Sequence, residues 1–333
     1  MTKLPDAQPT TPIETTDSNS VDIAAPTIFS ACVELTKPGI TKLVTITALV
    51  GLLIGGLQYD ITGWTRWIQL ILGVILGTSL ASGGANALNM WYESDRDALM
   101  NRTKVRPIPS QRLSASFVLA FGIIMTIVGT VILWLACGII PALVALITTA
   151  SYVLIYTPLK PITITNTLIG AIPGALPTMI GTTAVAPASQ FGSGFGLLTE
   201  PIGLMLFTLM FVWQLPHFFA IAWMCKDDYK AGGFRMLPIV DPQGNHTAVT
   251  MIITSAVLIP CGLAPLWIIP NLAGWFTAAA SILFGTALIY LSVKFATSRT
   301  EKAARKVFFG SIVHLPVYLT VLVIEATIKN FTS

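Results

Sequence analysis

The sequence predicts an all-α integral membrane protein, a bundle of nine transmembrane helices around a central cavity that opens to the cytoplasmic side. Of its 333 residues, 54% are hydrophobic and only 10% are charged, and the mean hydropathy is +0.76. Soluble domains carry about 25% charged residues, so this composition excludes an ordinary soluble protein. The apolar residues form runs of about 20, the length that a helix needs to cross the hydrocarbon core. Membrane barrels instead alternate apolar and polar residues.

Nine apolar segments separated by polar loops define the predicted spans. They are residues 38–57, 67–92, 114–135, 138–156, 163–184, 199–224, 247–268, 272–294 and 306–327. Only a short turn around Ala136–Pro141 separates the third span from the fourth, so a miscount would arise there first. Residues 29–330 are therefore predicted to form one transmembrane domain. Residues 1–28 are a polar segment without an apolar core, which predicts a disordered cytoplasmic tail rather than a signal peptide.

The basic residues predict how the bundle is oriented. Of the 19 lysines and arginines, all but Arg66 and Lys329 fall in the amino-terminal segment or in loops on the same side of the predicted spans. Cytoplasmic loops carry the excess of basic residues in membrane proteins. We therefore expect a multi-pass protein of a bacterial cytoplasmic (inner) membrane, with its amino terminus in the cytoplasm and the lipid bilayer as its surroundings.

The second predicted span ends in an acidic stretch. At about 100° per residue, Asn89, Glu93, Asp97 and Asn101 form one polar stripe of a helix, whereas Asp95 points nearly opposite Glu93. Carboxylate and amide oxygens suit a hard cation such as Mg²⁺. Ionisable groups next to a membrane helix are expensive and commonly functional. Asn89, Glu93 and Asp97 are therefore candidate metal ligands.

Basic residues follow the acidic stretch. Arg102 and Arg106 are again four residues apart, and guanidinium groups bind phosphate oxygens well. The alternative is a solvated helix end whose opposite charges simply pair with one another. With the acidic stretch, the pattern favours a metal–diphosphate site.

A second polar cluster closes the sixth predicted span. If the helix continues past Pro216, then Gln214, His217 and Asp228 share one face. That face would offer further oxygen ligands and a titratable imidazole. The alternative is a buried histidine that bonds a backbone carbonyl, with Asp227 and Asp228 in an ordinary loop.

Two further features are open to two interpretations each. Tyr156 and Lys160 close the fourth span on the same side, either as part of the site or as interfacial anchors. Small residues in the second span, and Pro173 and Pro177 in the fifth, serve either close helix packing or a broken helix that lines a substrate channel.

The motifs resemble those of the UbiA superfamily of intramembrane prenyltransferases. The resemblance rests on N-x-x-x-E-x-x-x-D followed by R-T-x-x-R-P at 89–107, and on Y-x-x-x-K at 156–160. Within that superfamily, four segments resemble the family of protohaem IX farnesyltransferases: L-T-K-P at 35–38, N-M-W-Y at 89–92, W-Q-x-P-H-F at 213–218, and D-Y-x-A-G at 228–232 followed by M-L-P at 236–238. The similarity runs from about residue 30 to residue 325.

This resemblance implies farnesyl diphosphate as donor, haem b as acceptor, haem O and diphosphate as products, and Mg²⁺ as cofactor. It also implies a downstream haem A synthase as a partner, and no nucleic acid. The implied catalytic residues are Asn89, Glu93, Asp97, Lys160 and His217. The implied metal ligands are Asn89, Glu93, Asp97 and Asp228. The implied substrate-binding residues are Arg102, Arg106, Tyr156, Lys160, Gln214, Asp227 and Asp228.

Two positions depart from the pattern of the family. Glu93 stands where the superfamily usually has aspartate, and Pro161 follows Lys160 where a basic residue is common. The role of His217 stays open between haem ligand, base and packing residue. The competing functions are another UbiA-type transferase, such as one acting on 4-hydroxybenzoate, an ion-coupled transporter, and a structural subunit. Mg²⁺-dependent product formation from farnesyl diphosphate separates an enzyme from the last two.

Overall fold

A computed structural model describes residues 27–192 and 194–332. Most of the predicted tail, residues 1–26, lies outside the described part. The first helix begins at Ile28, the last residue of that predicted tail, because Thr27 caps it by accepting a hydrogen bond from the Ser30 amide at 3.2 Å.

The described chain is a succession of helices, which confirms the all-α prediction. The first half contains α1 (Ile28–Leu35), α2 (Pro38–Gln58), α3 (Trp64–Tyr92), α4 (Ser94–Asp97), α5 (Ala115–Cys137), α6 (Ile139–Ala150), a π-helix (Ser151–Tyr156), α7 (Thr157–Leu159), α8 (Asn166–Ala175), α9 (Pro177–Thr183) and α10 (Ala188–Phe191). After a 3₁₀ helix (Gly194–Thr199) follow α11 (Pro201–Met224), α12 (Lys226–Ala231), α13 (Leu237–Val240), α14 (Asn245–Leu263), α15 (Pro265–Ile268), α16 (Trp275–Ser298) and α17 (Glu301–Thr332).

The structure does not confirm the count of nine spans. Within the described residues, eight helical segments are long and apolar enough to cross a membrane. They are α2, α3, α5, the segment Ile139–Leu159, α11, the segment Asn245–Ile268, α16 and α17. The multi-pass architecture therefore stands with eight long helices.

The predicted fifth span, residues 163–184, is the exception. It is two helices, α8 of 10 residues and α9 of 7 residues, which meet at Leu176. Pro177 begins α9 and, like Pro173 inside α8, has no amide hydrogen for the helical ladder. The broken pair packs inside the bundle against α2, α6 and α11.

The turn between the third and fourth spans is a single residue. Helix α5 ends at Cys137 and α6 begins at Ile139, with Gly138 between them at φ 107°. That backbone angle is open to glycine and strained for other residues. The two spans predicted on either side of this turn are thus separate helices.

Small residues in α3 serve close packing against α5. A β-carbon added to Gly84 would lie 2.6 Å from the carbonyl oxygen of Gly122, and one added to Gly129 would lie 2.5 Å from that of Gly77. The two backbones therefore touch, as small residues allow between membrane helices. For this part of the second span, the packing interpretation is confirmed.

Connecting segments 93–114, 157–166 and 225–244 meet at one end of the bundle, called here the site end. The Arg96 guanidinium donates to the Gly232 carbonyl at 2.9 Å, and the Arg235 amide donates to the Lys160 carbonyl at 2.8 Å. The Arg112 guanidinium pairs with Glu34, beside the end of α1, at 2.7 Å. These contacts tie segments that are far apart in sequence into one cover over the ends of the long helices.

Candidate active site

A cavity of about 140 Å³ lies beneath this cover. It is lined by four cations, two carboxylates, one amide and four other side chains. They are Lys37, Arg102, Arg106, Lys160, Glu93, Asp97, Asn89, Met100, Tyr152, Tyr229 and Phe234. A wider depression of about 460 Å³ adjoins it and shares Lys37, Arg102 and Arg106.

The acidic residues reach the cavity from the end of α3 and from α4. The continuous helical stripe was predicted wrongly, because α3 ends at Tyr92 and α4 begins at Ser94. Even so, Asn89, Glu93 and Asp97 are all buried, at 1%, 4% and 0% exposure. Asp95 and Asn101 are exposed. The structure thus joins three of the four stripe residues and leaves Asp95 outside, as its helical angle predicted.

Glu93 and Lys160 form a buried ion pair. The Lys160 ammonium donates to Glu93 Oε1 at 2.6 Å, and both side chains are largely shielded from solvent. Burial alone would raise the pKa of Glu93, but Lys160, Lys37 and Arg106 together hold that pKa below its ordinary value. Burial would likewise lower the pKa of Lys160, but Glu93 raises it above the ordinary range. Both shifts favour the charged forms of the pair.

Asp97 has one bonded oxygen and one free oxygen. Arg106 donates to Asp97 Oδ2 at 2.6 Å. Asp97 Oδ1 is buried and has no hydrogen-bond partner among the described residues. Burial raises the pKa of Asp97, and the Arg106 charge only partly opposes this. An oxygen in this state suits a bound cation, which would supply the missing partner.

Asn89 is fixed from both sides. Lys37 donates to Asn89 Oδ1 at 2.8 Å, and Asn89 Nδ2 donates to Thr157 Oγ1 at 3.0 Å. Lys37 adopts a left-handed conformation, φ 45°, immediately before α2, a conformation that costs free energy and recurs at functional sites. Burial, and then the nearby Arg106 charge, lower the pKa of Lys37 to about 7.

The donor set fits a hard divalent cation only in part. Asn89, Glu93 and Asp97 offer oxygen atoms, and Asp97 Oδ1 is unpaired. Across the described residues, no three His, Cys, Asp or Glu side chains cluster closely enough to hold a metal by themselves. Mg²⁺ is normally bound by one or two carboxylates plus waters and substrate phosphates. The residues therefore fit Mg²⁺ together with an anionic substrate.

The π-helix brings aromatic rings to the same place. Tyr152 lines the cavity and stacks on Tyr156, with 5.7 Å between ring centroids. Tyr156 supports Lys160, whose ammonium lies 4.7 Å from the centroid of its ring. Tyr156 and Lys160 are thus in contact, as a pair at the end of the fourth span would be. The tyrosine that lines the cavity, however, is Tyr152.

Gln214 and His217 do not join the cavity. Gln214 Nε2 donates to the carbonyls of Met210 and Ala171, inside the bundle. His217 Nδ1 lies 2.8 Å from Ser311 Oγ on α17. The predicted common face with Asp228 is wrong, because α11 ends at Met224. His217 is half-buried, and its partner is a hydroxyl instead of the backbone carbonyl of the alternative interpretation. Its assignment as a catalytic residue stays a prediction.

Neither residue of the second acidic pair is among the side chains that line the cavity. Asp227 is exposed on α12. Asp228 Oδ1 accepts a hydrogen bond from the backbone amide of Asn101 at 3.1 Å. Asp228 thereby links α12 to the segment that follows α4, a contact that does not place it with the three predicted metal ligands.

Five lining residues were absent from the predicted site: Lys37, Met100, Tyr152, Tyr229 and Phe234. Lys37 had a sequence signal, since a lysine directly before a proline opens the first span. Tyr152 lies four residues before Tyr156, and a π-helix was needed to bring it to the wall. Phe234 had no such signal, because it approaches Lys160 from 74 positions further along the chain.

Comparison with known proteins identifies a family profile and relatives that match this chain. A sequence profile described as the UbiA prenyltransferase family matches residues 44–313. A protoheme IX farnesyltransferase of Solibacter usitatus is 39% identical over 298 residues, covering 88% of this chain and 97% of the relative. One of Opitutus terrae is 40% identical over 299 residues, covering 89% of this chain and 95% of the relative.

Solved structures resemble the fold. A digeranylgeranylglyceryl phosphate synthase superposes with a TM-score of 0.69 at 16% identity, covering 90% of this chain and 98% of the other. A UbiA homologue from Archaeoglobus fulgidus bound to DMAPP and Mg²⁺ gives 0.55 at 13% identity, covering 90% and 99%. At these identities the likeness concerns the architecture alone.

Proposed function

Because this chain belongs to the UbiA prenyltransferase family, we propose that it transfers a farnesyl group from farnesyl diphosphate to a vinyl group of haem b, giving haem O and diphosphate. The specific reaction is supported by relatives named protoheme IX farnesyltransferase, which are 38–40% identical over almost their full length. The observation that carries the proposal is the cavity in which two carboxylates and an amide face four cations.

The cations would act on the leaving group. Arg102, Arg106 and Lys160 bind the oxygens of the diphosphate and stabilise the charge that develops as the bond to farnesyl C1 breaks. The bonding electrons leave with the diphosphate. The vinyl π electrons of haem b then form the new bond to C1, and water adds to the resulting cation and loses a proton. This sequence gives the hydroxyethylfarnesyl substituent of haem O.

Asn89, Glu93 and Asp97 would hold Mg²⁺, which supplies further neutralisation of the diphosphate charge when it is bound. The ion pairs support this division of work. Glu93 pairs with Lys160 and Asp97 pairs with Arg106, so the carboxylates that would hold the metal lie directly beside two cations that would bind the diphosphate. Tyr152, Tyr229 and Phe234 provide the walls that keep water from the farnesyl cation, which aromatic faces also attract.

We further propose that the site end faces the cytoplasm in a bacterial inner membrane. The strong bias of basic residues toward that end supports the orientation. Both apolar substrates would enter laterally from the bilayer while the diphosphate remains at the cytoplasmic face. A haem A synthase would receive the product in the same membrane.

Expression of the chain in a host that lacks haem O tests this function. We expect extracted haem to contain a species heavier than haem b by one farnesyl group plus water, identified by mass spectrometry. A host expressing the Asp97→Ala variant should contain haem b alone. If the unaltered chain gave no such species at equal membrane content while a known relative did, the assigned acceptor would be wrong.

Removal of divalent metal is expected to stop the reaction. In purified membranes treated with EDTA, haem O formation should fall by about a hundredfold or more, since metal charge stabilises the leaving group by several kcal/mol. Added Mg²⁺ should restore the rate, whereas added Ca²⁺, which is larger and less strict in geometry, should restore less. Unchanged turnover in EDTA would exclude the assigned role of Asn89, Glu93 and Asp97.

A further inference from the structure

The ammonium of Lys160 has an unusual set of neighbours. Its one carboxylate partner is Glu93 Oε1, at 2.6 Å. Two aromatic rings complete its surroundings, with Tyr156 at 4.7 Å and Phe234 at 5.6 Å from nitrogen to ring centroid. The side chain of Lys160 is only 12% exposed, and its open side faces the cavity. Aromatic faces attract cations, and the attraction grows when the cation is desolvated.

Phe234 is held firmly in this position by the cover of the site. Its ring is 4% exposed and packs with Met100, Ala222 and Met236. Its amide donates to the Tyr229 carbonyl at 2.9 Å, and the next amide, of Arg235, donates to the Lys160 carbonyl at 2.8 Å. The ring and the lysine are thereby fixed relative to each other through the backbone.

The residue before Phe234 allows this approach. Gly233 has φ 70°, and a β-carbon there would lie 3.0 Å from a guanidinium nitrogen of Arg96. Arg96 also lies 5.8 Å from the centroid of the Phe234 ring. Two cationic side chains, Arg96 and Lys160, therefore lie near the ring, and Lys160 lines the cavity.

Lys160 must change partners if it is to serve the diphosphate. Its charge is balanced by Glu93, and Glu93 would no longer be free to pair with it if that carboxylate held the metal. A buried ammonium without any partner is very costly. The rings of Tyr156 and Phe234 stay in place during such an exchange because neither is a metal ligand or a charged group.

We propose that Phe234 is a positioning residue whose aromatic face holds the Lys160 ammonium at the cavity wall during its transfer from Glu93 to the diphosphate. The inference rests on the proposed function, since it takes diphosphate as the anion that receives Lys160. It assigns a role to a residue that was not among the predicted site residues, although the motif residues 228–232 and 236–238 lie on either side of it. The property that matters is the quadrupole of the ring, that is, its negative face. This property can be changed while the volume of the ring stays nearly constant.

Fluorinated phenylalanines at position 234 separate these two properties. One, two and three ring fluorines progressively cancel the negative face of the ring while its shape stays nearly constant. Fluorination can change affinity only if the ring holds the ammonium more strongly in the diphosphate complex than beside Glu93, and the proposal places that gain in the complex, where Glu93 no longer pairs with Lys160. With full-length protein in lipid nanodiscs and inorganic diphosphate plus Mg²⁺ as the probe, we therefore expect the dissociation constant to rise stepwise. The total rise should be about tenfold, the scale of a desolvated cation–π contact. The thermal unfolding midpoint should stay unchanged across the series.

Two controls make the result specific to Lys160. The same fluorine series at Phe295, a fully buried ring that packs edge-on against Trp223, should leave diphosphate affinity unchanged. In a Lys160→Met background, fluorination at position 234 should no longer alter affinity, as in a double-mutant cycle. A fluorine effect that survives Lys160→Met but disappears in Arg96→Gln would show that the ring acts through Arg96, and would overturn the proposal.

The remaining outcomes are also decisive. Diphosphate binding that is equally tight across the whole series would overturn the role of Phe234 and leave the proposed function intact. If the unaltered protein bound no diphosphate with Mg²⁺ present, the proposed function and this inference would both fall.

Discussion

Replacing Asp97 by asparagine is expected to reduce haem O formation by at least about a hundredfold while the protein still inserts and folds. Asp97 is the one carboxylate of the cavity with a buried, unpaired oxygen, so we assign it the strongest role in metal binding. Asparagine keeps the shape but removes the charge, and loss of one preorganised electrostatic group commonly costs a factor of 10²–10³ in rate. The measurement is the initial rate with farnesyl diphosphate and haem b in nanodiscs.

Asp95 provides the matched control for this variant. It lies in the same four-residue helix α4 and is exposed, so Asp95→Asn removes the same charge from the same segment. We expect its rate to stay within about twofold of the unaltered protein, as for surface changes generally. Equal losses in the two variants would indicate a general charge effect of the segment and contradict the metal assignment of Asp97.

Adding one methyl group at Gly181 is expected to destabilise the bundle strongly. The new β-carbon of Gly181→Ala would lie 2.0 Å from the Ala48 carbonyl oxygen and 2.3 Å from the Leu52 amide nitrogen. Both neighbours are backbone atoms of α2, which cannot move aside without shifting the helix. Overpacking of this kind costs about 1–3 kcal/mol or more. We expect the thermal unfolding midpoint in detergent to fall by about 2–5 °C.

Gly39→Ala is the control, because it adds the same atom to α2 at a position with nothing within 4 Å. Its unfolding midpoint should be unchanged or slightly higher, since alanine favours a helix over glycine. Equal unfolding midpoints for Gly181→Ala and Gly39→Ala would contradict the close contact between α2 and α9.

Hydropathy was sufficient for the long helices, because burial in lipid constrains helix length more strongly than any tertiary contact does. The predicted span 38–57 differs from α2 by one residue, and 199–224 differs from α11 by two. Hydropathy failed for residues 163–184. The run is divided at Leu176, where Pro177 begins α9, and neighbouring helices enclose α9 while α8 leaves Leu168 and Ile172 exposed.

The site shows where local periodicity stops being informative. Asn89, Glu93 and Asp97 were predictable from their spacing, and they meet even though the helix breaks between them. The expected face shared by Gln214, His217 and Asp228 required a helix continuing beyond Met224, and α11 ends there. Lys37 and Phe234 reach the cavity through contacts that span 52 and 74 positions. Spacing along the chain carries no information about such contacts.

The π-helix of Ser151–Tyr156 has a consequence for the evolution of the chain. Its last turn is closed by the Thr157 amide bonding back five residues to the Tyr152 carbonyl, so it holds one residue more than an α-turn. Everything downstream is therefore rotated by about 100° relative to a regular continuation of α6. Deleting a single residue here would restore an ideal helix and turn Thr157 and Lys160 away from Asn89 and Glu93. We expect an insertion or deletion in this short stretch to disrupt the site, whereas substitution of its exposed side chains, Leu154 and Ile155, leaves these contacts in place.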